Sequence, residues 1–446
     1  MFRQTALGGL AAALLASTAL ADPVAITGVR LIDGTGADPV ENAVIVIEDG
    51  VITAAGADVD VPEGADIRDH DGATVIPGLI SAHNHVGMVD GMDAGGHNYT
   101  REIIEGELAQ YRRYGVTTTT SLGNNPTLFL EIREDAQAGR LDGADLYGTY
   151  QGIGAPDGAP PIDVTDDQIH RPRTADEARA AVDGMAEAGG DLVKIWMDDL
   201  HGDAERLTPE VYTAVIETAH GHGLRVAAHV HDLEEAEAMI AAGADILAHG
   251  IRDAEVSASF AAELAERGTW YIPTLQLDEA TFVWADAPDW TEEPFVRAGM
   301  HPDLIATVEQ ADWREATLGE DGTDRARQAL AMNQRNLAIL HQAGVPIGFG
   351  TDSGATPLRV IGVAEHRELE LMVEAGLSPM DALVIATADS ARLLDLDDRG
   401  TLEPGRRADL VILSGNPLDD IANTRTIVEV WQRGEAVSSE IAAQEE

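Results

Sequence analysis

The chain of 446 residues contains no cysteine and, among its 29 basic residues, a single lysine, Lys194. Without cysteine there is no disulfide framework, no thiolate metal ligand and no site for a lipid anchor behind a signal sequence. Basic residues are few against 78 acidic ones, a formal charge of −49. No basic patch exists to neutralise phosphates, so nucleic acid is not an expected partner, and the acidity reads as solubility. No apolar run is long enough to span a bilayer, so no membrane anchor is expected. There is also no glycine-rich phosphate turn after the first strand of the central region, which argues against an open dinucleotide-binding sheet.

What is present begins with a leader. Arg3, an apolar core over 7–15 and the small-x-small pattern Ala19-Leu20-Ala21 read as a signal peptide over 1–21, cleaved after Ala21. Asp22-Pro23 stops any helix there. A periplasmic or secreted protein is expected.

Both ends of the remaining chain carry strand patterns. Ala43-Val-Ile-Val-Ile-Glu-Asp-Gly-Val-Ile52 is two apolar runs around Asp49-Gly50, a hairpin signal. Ala408-Asp-Leu-Val-Ile-Leu413 and Thr426-Ile-Val-Glu-Val-Trp431 answer it near the C-terminus. Neither set buries a face alone, so a small composite β-sandwich of 22–73 and 400–440 is predicted. Between them, 74–399 alternates strands (74–85, 116–122, 145–153, 192–197, 225–230, 246–249, 270–275 and 346–350) with amphipathic helices such as 175–188, 209–222, 233–242 and 254–267. Eight such units predict an α/β fold, a distorted (β/α)8 TIM barrel. Insertions at 151–174 and 276–323, the latter with Trp284, Trp290 and Trp313, leave the carboxyl ends of strands and are candidate lids.

The lysine sits in an apolar strand, Asp191-Leu-Val-Lys-Ile-Trp196. Burial disfavours its ammonium and lowers its pKa. A neutral buried amine acts as a nucleophile, forms a Schiff base, or captures carbon dioxide as a metal-binding carbamate; arginine does none of these. Other polar residues interrupt the strands at their carboxyl ends: His83 and His85, which share a strand face, then His229, His249 and Asp352. Four imidazoles, a carboxylate and an amine thus converge, a suitable ligand set for zinc and related divalent ions.

The chain resembles the amidohydrolase superfamily, in the branch related to imidazolonepropionase and prolidase-like dipeptidases. The resemblance rests on Val75-Ile-Pro-Gly-Leu-Ile-Ser-Ala-His-Asn-His85, Gly115-Val-Thr-Thr118, Val226-Ala-Ala-His-Val-His231, Ala242-Gly-Ala-Asp-Ile-Leu-Ala-His-Gly250, Gly350-Thr-Asp-Ser353 and the closing Gly400-Thr-Leu-Glu-Pro-Gly-Arg-Arg-Ala-Asp-Leu-Val411. It implies that His83, His85 and Asp352 hold one metal and His229 and His249 a second. A carboxylated Lys194 would bridge two divalent ions, zinc first, with manganese or cobalt as alternatives. A metal-bridging hydroxide would attack the substrate carbonyl, and Asp352, as catalytic base and then acid, would pass the proton to the leaving nitrogen. Members lacking this lysine tend to be mononuclear, imidazolonepropionase among them, so Lys194 argues against that activity.

His231, Tyr150, Arg252 and Trp196 are candidate substrate contacts near strand ends, with Asn124 beside them; Arg252 suits a substrate carboxylate. The expectation is hydrolysis of a small-molecule amide, in a dipeptide or N-acyl amino acid. The same metals would serve a lactone, cyclic amide or organophosphate, and a periplasmic solute-binding protein is the alternative outside enzymes. A homo-oligomer remains open.

Overall fold

The computed structural model describes residues 22–437. The expected leader, and the end of the composite domain beyond 437, lie outside the described residues. The hairpin forms where Asp49-Gly50 suggests. Val40–Glu48 and Val51–Gly56 pair antiparallel, with φ of 50° at Asp49 and 81° at Gly50. Both turn residues are therefore left-handed, as a twist-matched two-residue turn requires.

The two ends of the chain meet in one hydrogen-bonded eight-stranded sheet. Its order is Glu435–Val437, Ile427–Gln432, Leu410–Leu413, Thr74–Pro77, Val24–Leu31, Val40–Glu48 and Val51–Gly56, with Asp66–Asp69 also on Val24–Leu31. Leu410–Leu413 runs antiparallel to Thr74–Pro77, from Leu410 opposite Pro77 to Leu413 opposite Thr74. Ile26, Val29, Leu31, Ile45, Ile47, Leu410, Ile412 and Trp431 form its own buried core, so burial of this shared face supplies the drive to join the termini.

The predicted strand 74–85 is two strands. Thr74–Pro77 belongs to the terminal sheet, while Leu79–Asn84 lies parallel to Val116–Ser121. The break is Gly78, where a Cβ would lie 2.4 Å from the Thr117 hydroxyl; only glycine permits that approach. Asp145–Gly148 extends this arc beyond Val116–Ser121. A second parallel arc runs Ile169–His170, Gly152–Ile153, Val193–Trp196, Val226–His229, Ile246–Leu247 and Trp270–Tyr271.

The expected eighth strand, 346–350, makes no ladder. It has one bridge, Ile347 to Tyr271, made by Gly348 N to Tyr271 O (2.9 Å) and Tyr271 N to Pro346 O (3.0 Å), and one main-chain bond from Ala82 N to Phe349 O (2.7 Å). The described ladders are therefore two arcs rather than a closed barrel. The physical reason is local: a Cβ at Gly348 would meet Leu393 at 2.5 Å and one at Gly350 would meet His83 at 2.7 Å. The segment is pressed between neighbours instead of extending a pleat.

Helices cover the arcs close to their predicted bounds: Ala175–Glu187, Pro209–Gly221, Leu233–Ala242 and Ala258–Arg267. The last starts later than expected because Ser257 caps it, accepting from Phe260 N. The insertion 276–323 folds into short helices whose Trp284 is buried and donates to Leu358 O at 2.8 Å. No helix among the described residues is long and apolar enough to cross a membrane.

At the amino ends of the strands, Asp145 ties the central region to the terminal sheet. It is 1% exposed and accepts from Arg399 (2.6 Å), Arg407 (2.7 Å) and Arg433 (2.6 Å). Removing one partner of a buried ionic cluster strands the others, at a cost of about 3–5 kcal/mol. Asp145→Asn is therefore expected to lower unfolding free energy by about that amount in equilibrium denaturation. A loss below about 1 kcal/mol, the range of exposed pairs, would show that the cluster is not a structural tie.

Candidate active site

At the opposite ends of the strands the polar residues gather. His83 lies in Leu79–Asn84 and His85 just beyond it. Lys194 lies within Val193–Trp196, and His229 closes Val226–His229. His249 follows Ile246–Leu247. The turn carrying Asp352 is zipped onto the first of these strands: Thr351 N and Asp352 N both donate to His83 O (3.0 and 2.9 Å), and His85 N donates to Ser353 O (2.9 Å). Asp352 is left-handed, with φ of 60°, which turns its carboxylate out of the strand path.

All six residues fall into one connected cluster. Asp352 Oδ1 is 3.3 Å from His83 Nε2 and 3.0 Å from His85 Nε2. Lys194 Nζ is 3.3 Å from His83 Nε2. The His249 ring centroid lies 4.5 Å from that of His83 and 4.2 Å from that of His229. His83, His85 and Asp352 have ligand atoms mutually within 4.8 Å, a geometry that can hold a metal ion.

The donor chemistry fits metals. Burial, then the adjacent Lys194, pulls His83 down to about 3. Burial likewise lowers His229 to about 4 and His249 well below its ordinary value. These imidazoles are therefore neutral, the ligating form. Asp352 Oδ1, the oxygen that faces both Nε2 atoms, is buried without a hydrogen-bond partner, a costly state that a bound cation relieves. The neighbours orient two other ligands: His249 Nδ1 meets the Thr274 hydroxyl at 2.9 Å and His229 Nε2 meets Asp198 Oδ2 at 3.3 Å. Each leaves the other ring nitrogen for the centre.

Several residues the sequence did not single out complete the site. Arg359 pairs with Asp352 Oδ2. Burial raises the proton affinity of Asp352, but Arg359 and the two histidines outweigh it and hold the carboxyl well below its usual range. Asn84, the middle residue of His-x-His, hydrogen-bonds with the hydroxyls of Thr119, Thr351 and Ser353. Glu365 accepts from Thr351 (2.7 Å), Ser353 (2.8 Å) and Gly362 N (2.7 Å). Asp198 was within reach of sequence reasoning, since 194, 196 and 198 share a strand face; Arg359 and Glu365 lie on loop and helix and gave no such signal.

The candidate substrate contacts divide. Arg252 is buried beside His229 and His231; Nη1 bonds Asp278 (3.2 Å), Nη2 bonds Val230 O (3.3 Å), and Nε has no partner. His231 packs on His201, with ring centroids 4.9 Å apart, and bonds Asp232 at 2.6 Å. Trp196 is 4% exposed and set against Ala159 and Ile169, a Cβ at Gly152 would sit 2.0 Å from its ring, and Lys194 Nζ lies 5.4 Å from the ring centroid. Tyr150 directs its hydroxyl to Thr127 (2.8 Å), at the start of a helix rather than at the histidines.

A second acidic group, Asp198, Asp199 and Glu235, is already spanned by Arg206, 3.0 Å from both Asp199 and Glu235. A cleft of about 760 Å³ lies by Arg112, Arg140 and Asp145, at the structural end of the strands. A smaller cavity of about 320 Å³ is lined by Val89, Ile103, Leu304, Val360 and Ile361, and by Arg359, whose guanidinium reaches Asp352.

Lys194 is fully buried, and burial, partly opposed by Asp352, lowers it from 10.5 to about 7. Between those pH values the unfolded chain holds a proton that the folded chain has released, so this group adds stability as pH rises. The stability of the metal-free protein relative to Lys194→Met is expected to increase from pH 7 to about pH 9.5. A difference flat over that window in chemical denaturation would show that Lys194 is not held as a neutral amine.

The sequence matches the amidohydrolase family model over residues 74–437. Ochratoxinase of Aspergillus niger is 25% identical, with 94% of this chain and 88% of the relative covered. Among solved structures, a Xaa-Pro dipeptidase with bound methionine in the active site superposes with a TM-score of 0.72 at 22% identity, covering 94% of this chain and 100% of that one. Phenylurea hydrolase B superposes with a TM-score of 0.72 at 24% identity, covering 94% and 97%. With a family model spanning the arcs, the insertions and the whole histidine–aspartate cluster, the chain belongs to the amidohydrolase family.

Proposed function

We propose that the chain is an exported binuclear metallohydrolase that cleaves the amide bond of a dipeptide or N-acyl amino acid. As an amidohydrolase it is a metal-dependent hydrolase acting on carbon–nitrogen bonds. The observation that carries the finer reading is the buried Lys194 amine within 3.3 Å of His83, in a cluster of neutral histidines. A lysine so placed suits a carbamate bridge between two sites, His83/His85/Asp352 and His229/His249. The two sheet arcs are read as one interrupted (β/α)8 barrel, since both are parallel and the segment 346–350 bonds to each.

Bound divalent ions would supply an activated water near neutral pH and polarise the scissile carbonyl. The protein's own part is proton management and placement. Asp352, with Oδ1 toward the histidines and Oδ2 on Arg359, is placed to take the water's proton and deliver it to the leaving nitrogen. Arg252, with Nε unpaired, suits a substrate carboxylate. The cavity beside Arg359, lined by Val89, Ile103, Leu304, Val360 and Ile361 together with Glu107, Gln110 and His301, offers room for a substrate substituent. The relatives' names, a dipeptidase, an ochratoxinase and a phenylurea hydrolase, support C–N cleavage with substrate choice left to such walls.

Four measurements test this. Metal analysis is expected to give two divalent ions per chain. Lys194→Ala is expected to lose at least one of them and about 10³-fold or more in kcat, with no rescue by Lys194→Arg; full loading and turnover in Lys194→Ala would sink the bridge. Against N-acetyl-L-leucine, glycyl-L-leucine and a γ-lactone, the amides are expected to turn over; activity on the lactone alone would reverse the substrate reading. Exported protein is expected to begin at Asp22, and a retained Met1 would remove the export assignment.

A further inference from the structure

Two adjacent asparagines follow the strand Val116–Ser121, and the structure treats them in opposite ways. Asn125 is fully used. Its Nδ2 donates to Thr149 O at 2.8 Å, and its Oδ1 accepts from the Ser121 hydroxyl at 2.9 Å and from the Tyr99 hydroxyl at 3.0 Å. Asn124 is equally buried, 1% exposed, yet neither its Oδ1 nor its Nδ2 has a hydrogen-bond partner. Its backbone is left-handed, with φ of 60°, and is pinned there by Gln168 Nε2, which donates to Asn124 O at 2.9 Å.

Its position is at the functional end of the arc. Leu122 N donates to the carbonyl of Asn84, the residue between His83 and His85, at 2.9 Å. Gly123 abuts the Trp196 ring, so closely that a Cβ would lie 2.3 Å from it, and that ring sits 5.4 Å from Lys194 Nζ. Asn124 is thus separated from the two metal-site strands by one residue and one ring.

A buried carboxamide with both ends unpaired is costly, and such residues persist where a ligand completes them. The left-handed backbone alone does not account for asparagine, because glycine meets that requirement without burying an amide. We propose that Asn124 is a substrate-contacting residue, its Oδ1 accepting from the N–H of the scissile amide and its Nδ2 donating to the substrate's carboxylate. The carbonyl of a trans amide points away from its N–H, so the carboxamide engages the N–H side alone, and an ester lacks that N–H. This rests on the amide-hydrolase reading above and extends it to selection of amide over ester.

The test compares wild type with Asn124→Gly, which keeps the left-handed backbone and removes the amide, and with Asn124→Asp, which keeps an acceptor and loses the donor. The probes are N-acetyl-L-leucine and its ester isostere, O-acetyl-2-hydroxy-4-methylpentanoate. In Asn124→Gly, kcat/KM on the amide is expected to fall roughly tenfold to a hundredfold, mostly through KM. The ester should fall less, so the amide-to-ester ratio drops, while metal content and thermal midpoint stay at or above wild type. Asn124→Asp should lose on both probes, since both present a carboxylate. An Asn124→Gly variant with unchanged kinetics on both probes would overturn this proposal alone and leave Asn124 a turn residue. No turnover of the amide by wild type, with ester turnover intact, overturns the amide reading and this proposal with it.

Discussion

Asp352 is the residue through which the centre is held together. One carboxylate oxygen faces His83 and His85, the other is taken by Arg359, and its own N–H donates to His83 O. A buried anion is tolerated only when paired and hydrogen-bonded. Arg359 secures the charge, and burial keeps the facing His83 imidazole neutral, with a lone pair rather than a proton. The left-handed backbone that aims this carboxylate is not free-standing. Thr351 and Ser353 flank it and both hydroxyls bond to Glu365, while Ser353 also meets the Tyr111 hydroxyl at 2.7 Å. A fully buried polar network therefore fixes the turn, which is the condition for strain to be retained at a functional site.

The two ends of the strands divide the labour. At the amino ends, Asp145 gathers Arg399, Arg407 and Arg433 and fastens the terminal sheet to the central region. At the carboxyl ends, histidines, lysine and Asp352 gather around a centre with unpaired donor atoms. In the first cluster every charge has a partner; in the second, polar atoms are left over. That contrast separates a stability device from a reactive one, and it follows the usual polarity of parallel α/β folds. A cleft of about 760 Å³ lies at the first end, away from the chemistry.

Much of this was legible because period-two alternation and strand polarity are local. His83, His85, Lys194, His229, His249 and Asp352 each interrupt an apolar run, and the structure brings all six together. The hairpin at Asp49-Gly50 and the partnership of the two chain ends were equally local signals. What stayed hidden depends on contacts between distant segments. Gly78 and Gly350 are forced by the approach of Thr117 and His83, so the split of the first strand and the interruption at 346–350 have no signature in hydrophobic pattern. Trp196 alternates onto the same face as Lys194, yet the glycines at 123 and 152 let its ring fold into packing. Arg359 and Glu365 act from a loop and a helix whose position only the tertiary fold defines.

The lone lysine is best understood through what burial does to each cation. An arginine at 194 would stay charged, beside His83 and within the field of His229 and His249. It would repel any divalent ion and have one acidic partner, Asp352, already shared with Arg359. Lysine escapes because its amine can shed its proton: burial brings it to about 7, so near neutral pH it adds little positive charge to the centre. The same desolvation that makes this position expensive for an ammonium makes the amine nucleophilic. Placement among neutral histidines then favours a product that carries negative charge, which is what a carbamate is. The wall opposite follows the same electrostatic logic with the other cation: Arg252 stays charged beside His229, and Asp278 offsets it through only one of its carboxylate oxygens. A centre that must draw in metals keeps its interior bases neutral, and a wall that must hold an anion keeps its arginine charged.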